Sequence, residues 1–270
     1  MDNKLTSTLT SVYYGIGITA LSYLFLTNAL PKLTITYNKA MRAFAKSGRN
    51  VFTIINKGGD FINKNTLEKF HEFYNKIDPS DQIVIILHTP GGSLTSSEAI
   101  FKCLNRHKGK ITAYIPQYCY SGGMLIALAC DEIIMSPNAL VGPCDAQFMD
   151  KIGFGMTSSD VIDKVITEKR GLGQKIEEAW LAQGYEAQKV KLAQKNVLKE
   201  MLEMNNEKTR FNADTIEKIY DELFSGKYPH SYNLTPENLL ALGINVKIEK
   251  QPRFVNDILY YDARCLDYYY

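Results

Sequence analysis

An α/β domain built on a parallel sheet is what this sequence predicts, and two observations carry the prediction. Apolar segments rich in β-branched residues recur at VFTII (51–55), QIVIILH (82–88), GKITAYI (109–115) and DEIIM (131–135), with segments of helical spacing between them. The strand segments are apolar nearly throughout instead of at alternate positions, the pattern of strands covered by helices on both faces. Parallel strands of this kind are joined by right-handed crossovers.

The elements follow in order. KGGDFINKN breaks the first strand, and TLEKFHEFYNKI (66–77) has helical spacing with a charged face. DPSD marks a turn before the strand at 82–88, the clearest in the chain, which ends at TPGGS. LTSSEAIFKCLNRH (94–107) is predicted helical, 109–115 is the next strand, GGMLIALAC (122–130) is a short apolar helix and 131–135 another strand. From about Ser158 the chain turns to long, charged helical segments, SSDVIDKVITEKR first and then the stretch that begins IEEAWLAQGYEAQ. That stretch reads as a packing or oligomer surface. DTIEKIYDELFSG follows as a helix stopped by Gly226. Thr235 and Pro236 are placed as the cap and first turn of a last short helix over 235–243. Residues 251–270 read as a tail.

The 270 residues, 45 % apolar and 11 % aromatic, suffice for one large domain with appendages. A net charge of +2 gives no reason to expect a nucleic-acid partner. The local distribution is more informative. No charged side chain occurs between Lys4 and Lys32, and the centre of that run, Val12 to Leu30, is long enough to cross a bilayer. Lys32, Lys39, Arg42, Lys46 and Arg49 follow with no acid among them. The expectation is an N-terminal transmembrane helix (1–31), a basic juxtamembrane segment (32–50) and a domain (51–250) on the cytoplasmic side. A cleaved signal peptide and a buried helix are the competing readings of the run. Five cysteines, odd in number and without CxxC spacing, suit a reducing compartment. No His, Cys, Asp and Glu grouping has metal-ligand spacing, and there is no GxGxxG fingerprint.

Two glycine pairs, Gly91–Gly92 and Gly122–Gly123, fall at the carboxyl ends of predicted parallel strands, the edge where open sheets bind ligands. Glycine there lets backbone N–H groups approach a ligand closely. Ser121 precedes the second pair in YCYSGGML. Its hydroxyl is either the cap of the following helix or a nucleophile beside an oxyanion hole. On residues alone, both readings stand.

The ordered series LHTPGGS, YSGG, LIALA and DEIIMSPNALVGPCDAQ resembles the Clp protease and signal peptide peptidase A superfamily. Within it, the chain is most similar to the membrane-anchored serine dehydrogenase proteinase family, over residues 50–250 and the anchor. The resemblance implies the Clp/crotonase-like spiral of βα units and peptide-bond hydrolysis through a serine acyl-enzyme, without a cofactor. Carried across, Ser121 is the nucleophile, and the N–H groups of Gly92 and Gly122 are the oxyanion donors.

A serine needs a base. The family order Ser, Asp, His implies Asp145 and His230, although this histidine is followed by Ser231 where the family has Asp. The alternative is a Ser–Lys dyad with Lys164 in VIDKVI, and Lys169 or Lys175 as further candidates. His88 reads as orienting the TPGG loop, His71 as solvent-facing, and His107 as a helix end. The implied partners are a peptide or membrane-associated protein substrate, the membrane, and further copies of the chain. A silent membrane scaffold and a crotonase-like acyl-CoA enzyme are the competing functions, and the second leaves Ser121 unexplained.

Overall fold

A computed structural model describes residues 49–56, 59–149, 156–203 and 211–266. The expected anchor, Val12 to Leu30, lies outside them. Among the described residues, no helix is long and apolar enough to cross a membrane.

In chain order the first elements are β1 (Arg49–Ile55), α1 (Lys64–Tyr74), β2 (Gln82–His88), α2 (Leu94–Asn105), β3 (Ile111–Ile115) and β4 (Tyr118–Cys119). They are followed by α3 (Gly122–Leu128), β5 (Glu132–Met135), β6 (Leu140–Val141), β7 (Gln147–Met149) and β8 (Met156–Ser158). The remainder is α4 (Ser159–Gly171), α5 (Glu178–Glu203), α6 (Ala213–Ile219), a π-helical turn (Tyr220–Phe224), α7 (Pro236–Ala241), β9 (Val246–Ile248) and α8 (Arg253–Leu266). Five strands make one parallel sheet in the order β1-β2-β3-β5-β9. The fold is therefore α/β on a parallel sheet, as the alternation of segments predicts.

The sequence of β2 shows why its apolar run is continuous. Ile83, Ile85 and Leu87 point into the main core with Phe70 of α1 and Phe101 and Leu104 of α2. Val84 and Ile86 point the other way, into a second cluster with Tyr114, Ile134, Val255 and Ile258. Successive side chains of a strand face opposite sides, so a strand covered on both must be apolar at each position. Each fully buried aliphatic side chain contributes about 1.5–3 kcal/mol relative to exposure.

The second face is covered by α8, a helix in the stretch 251–270 that by composition reads as a tail. The helix RFVNDILYYDARCL turns Val255 and Ile258 toward the sheet. β9, three residues long and added at the edge, was likewise not predicted. The predicted helix from Asp214 divides into α6 and the π-helical turn that precedes Gly226. A third, separate cluster of Ile162, Ile166 and Ala187 joins α4 to α5. α5 has 26 residues, roughly 39 Å of helix.

A second, shorter ladder positions the site. Ile62 bridges Gly92, Thr89 bridges Cys119, β4 pairs with β6, and Val141 bridges Leu234. These rungs are one or two residues long, below the length at which strand propensity registers in a sequence.

At the far end of the sheet, Glu132 of β5 binds Lys110 at 3.2 Å and Lys247 of β9 at 2.6 Å. Burial raises the carboxyl pKa, but the hydrogen bonds from Lys247 and Lys110 outweigh it and hold it below the usual glutamate value. The stabilisation is complete above the unfolded glutamate pKa, about 4.3, and is lost as the pH falls through the lower folded value. Glu132→Gln should lower stability at pH 7 by at most about 1 kcal/mol, because both lysines are largely exposed. Thermal unfolding curves of variant and wild type should converge as the pH falls below the lowered folded value; a constant offset at all pH values would contradict the account.

Candidate active site

Ser121 closes the turn between β4 and α3 with φ 50° and ψ −124°, and among the described residues it is the one non-glycine residue at positive φ. Such a conformation costs about 1–3 kcal/mol and persists only where neighbours hold it. The Tyr120 N–H donates to the Thr89 carbonyl (3.0 Å) and the Gly123 N–H to the Tyr120 carbonyl (2.9 Å). The Ser121 carbonyl receives the Leu125 N–H (3.1 Å) and the Cys144 thiol (3.4 Å). The Ser121 hydroxyl makes no cap to α3. The cap reading of the serine is thereby excluded.

The glycines around it are required by space. A Cβ on Gly122 would lie 2.3 Å from the Ser97 hydroxyl, and one on Gly91, where φ is 101°, would lie 2.6 Å from the Ser121 Cβ. The same construction at Gly122 falls 3.7 Å from the Gly92 nitrogen, so the two glycine backbones run side by side. The loop that carries Gly91 and Gly92 is held by Thr89, whose hydroxyl accepts from the Gly91 N–H (3.0 Å) and donates to the Asn56 side chain (2.7 Å). Neighbouring N–H groups are committed elsewhere: Ser93 N–H donates to the Ile62 carbonyl, and Ile62 N–H to the Gly91 carbonyl. The Gly92 and Gly122 N–H groups have no acceptor among the described residues.

Asp145 is buried, 1 % exposed, four residues past the Val141 rung. Its Oδ1 accepts from His230 Nδ1 at 2.7 Å and its Oδ2 from Gln147 Nε2 at 2.5 Å. A carboxylate removed from water must be paired, and these two donors supply the pairing. With the Nδ1 hydrogen directed at a carboxylate, the neutral ring keeps its lone pair on Nε2. The loop carrying His230 begins at the π-helical turn, where the Leu223 carbonyl accepts from Cys144 N–H at 2.6 Å. It ends at Leu234, which exchanges two backbone hydrogen bonds with Val141. Tyr228 and Tyr232 stack across the turn with centroids 4.3 Å apart. Asn233 accepts a 2.8 Å hydrogen bond from the Tyr120 hydroxyl, which joins this loop to the Ser121 turn.

A cavity of 830 Å³ opens beside these groups. Tyr120, Asp145, Gln147, Met156, Val161, Tyr228, Pro229 and His230 are among its walls. Lys164 lies on the exposed face of α4 and is not part of the lining; Lys169 and Lys175 are also exposed. The lysine that does line the cavity is Lys227, and hydrogen bonds to Glu222 and Asp221 push its pKa further up, which leaves it charged. Lys191 is similarly held charged: burial alone would lower its pKa, but Asp160 and Asp163 at 2.8 Å each raise it. His88 is buried with its ring 4.0 Å from that of Tyr118. His107 is buried too, its Nε2 2.7 Å from the Asp81 carbonyl, so it ties a loop instead of ending a solvated helix.

Gln147, Thr89 and the Tyr120–Asn233 pair were not identified as site residues from the sequence. Gln147 was visible as the last residue of the GPCDAQ segment, without a role.

Gly91→Ala should cost about 1–3 kcal/mol in thermal or urea unfolding, from the strained φ and the contact with Ser121. Gly171→Ala, where an added methyl meets nothing within 4 Å, should be neutral or slightly stabilising. Equal effects at the two positions would remove the packing argument.

A family model described as ClpP-like SDH-type serine proteinase matches residues 61–264. Uncharacterized protein MJ1495 of Methanocaldococcus jannaschii is 36 % identical over 187 residues, 68 % of this chain and 58 % of its own length. Uncharacterized protein MJ0137 of the same organism is 31 % identical over 184 residues, 67 % of this chain and 60 % of its own. The chain thus spans less than two thirds of the length of these relatives. Among solved structures, the 1510-N membrane-bound stomatin-specific protease is similar at 19 % identity and a TM-score of 0.47, covering 79 % of this chain and 83 % of that one.

Proposed function

The chain belongs to the ClpP-like SDH-type serine proteinase family, and from that premise we propose that it is a serine endopeptidase working through a Ser121–His230–Asp145 triad. The observation that carries the reading is the 2.7 Å pair of His230 Nδ1 with buried Asp145, tied to the strained Ser121 turn through the Cys144 thiol and the Tyr120–Asn233 hydrogen bond.

The chemistry follows from the groups. Ser121 Oγ attacks the scissile carbonyl carbon as its proton passes to His230 Nε2. Asp145 keeps the ring in the tautomer that can take that proton, and its negative charge stabilises the imidazolium. The carbonyl oxygen, now an oxyanion, is received by the Gly92 and Gly122 N–H groups. The C–N bond then breaks as Nε2 returns the proton to the leaving amine, and water releases the acyl group by the same steps in reverse. Apolar walls at Met156, Val161, Tyr228 and Pro229 suit a substrate with a bulky apolar side chain beside the scissile bond.

A lysine base must be desolvated to lose its proton near neutral pH. The exposure of Lys164 argues against the dyad. Membrane anchoring through residues 12–30, a cytoplasm-facing domain and assembly of several copies complete the proposal; the uncharged run and its basic flank support the first two.

The test is labelling of the purified full chain by a fluorophosphonate probe, with peptide hydrolysis measured alongside. Ser121→Ala should abolish both, His230→Ala should reduce the rate at least about a thousandfold, and Lys164→Ala should leave it unchanged. Labelling that survives Ser121→Ala sinks the nucleophile assignment, and inactivity of Lys164→Ala returns the dyad.

A further inference from the structure

We propose that Gln147 is a positioning residue for hydrolysis, setting the plane of the Asp145 carboxylate through its second oxygen. The inference rests on the triad reading above.

A carboxylate has two chemically equivalent oxygens and rotates about its Cβ–Cγ bond unless both are held. His230 engages Oδ1 from a loop; Gln147 Nε2 engages Oδ2 at 2.5 Å. The geometry requires the amide nitrogen to face the carboxylate, because an amide oxygen there would oppose a like partial charge. Asp145 is 1 % exposed, so water is a poor substitute for this donor.

Gln147 is anchored independently of the histidine loop. It opens β7, which pairs antiparallel with β8 in the register Gln147 to Ser158. Ser159 N–H donates to the Ala146 carbonyl at 2.9 Å, and the Ser158 hydroxyl caps α4 by accepting from Val161 N–H at 3.2 Å. The hairpin and α4 therefore hold the amide, the amide holds the carboxylate, and the carboxylate holds the imidazole.

The neutrality of glutamine matters as much as its reach. A lysine or arginine at this place would orient the carboxylate equally well but offset the negative charge that stabilises the imidazolium. An amide orients it and leaves the charge intact. Gln147 also lines the cavity, which allows a competing role in contacting substrate.

The experiment separates these roles with the fluorophosphonate probe on the purified full chain, resolving the inactivation rate constant from the apparent binding constant. Gln147→Met keeps the volume and removes the donor. It should lower the rate constant about 10- to 100-fold and leave the binding constant within about twofold, with the unfolding midpoint lowered because Asp145 Oδ2 loses its partner but the variant still folded at the assay temperature. Gln147→Leu, which also lacks a donor and adds no charge, should show the same loss, so the outcome does not depend on one variant folding. In an Asp145→Asn background, Gln147→Met should cost nothing further, because the group it orients is gone.

An unchanged rate constant, a loss confined to binding, or full additivity with Asp145→Asn would each overturn the inference. If Asp145→Asn itself retains the wild-type rate, the triad reading fails and the inference with it. If Asp145→Asn is impaired while Gln147→Met is intact, only the role of Gln147 fails.

Discussion

Val141 and Leu234 exchange two backbone hydrogen bonds, of 2.9 and 2.8 Å, and the placement of the histidine depends on them. They return the chain, after three helices and a π-helical turn, to the edge of the sheet where Ser121 stands. Cys144 adds a 2.6 Å bond to the Leu223 carbonyl at the other end of the same loop. His230 is therefore suspended between two backbone attachments to one segment, 141–144, with Asp145 next in sequence. A single short segment sets both the carboxylate and the ring it orients.

The same segment reaches the nucleophile. The Cys144 thiol lies 3.4 Å from the Ser121 carbonyl, and the Cys144 carbonyl accepts from Gln194 of α5 at 3.0 Å. Burial raises the Cys144 pKa well above the ordinary thiol value, so the group serves as a small packed donor and not as a reactive thiolate. The turn at Ser121 is strained, and strain is retained only where surrounding contacts over-determine the backbone. Here those contacts come from the Thr89 carbonyl, the Cys144 thiol and the close backbone of Gly91.

How legible this was varied with the range of the interactions involved. The strands of β2 and β3 were readable because double-sided burial writes itself into consecutive residues. α8 was not assigned, although Val255 and Ile258 lie at helical spacing, because the tyrosine-rich end around it resembled a tail. The rungs at Cys119, Val141 and Leu234 carry no propensity signal, being one or two residues long. Lys164 and His230 could not be separated as bases by inspection: VIDKVI suggests burial, yet Ile162 and Ile166 turn inward and Lys164 outward.

By itself the sequence determined the α/β class, the parallel sheet and the serine followed by two glycines, since periodicity, apolar runs and Gly pairs are local properties. Asp145 and His230 came into view only through an ordered resemblance, and nothing in their neighbourhoods announces a pair. The tertiary structure decided that they meet at 2.7 Å, that Ser121 stands at positive φ with its hydroxyl making no cap to α3, and that Gln147 takes the second carboxylate oxygen. The physical reason is distance along the chain. The Asp145–His230 contact spans 85 residues, and such a contact is fixed by backbone ladders and burial that no local window of residues encodes.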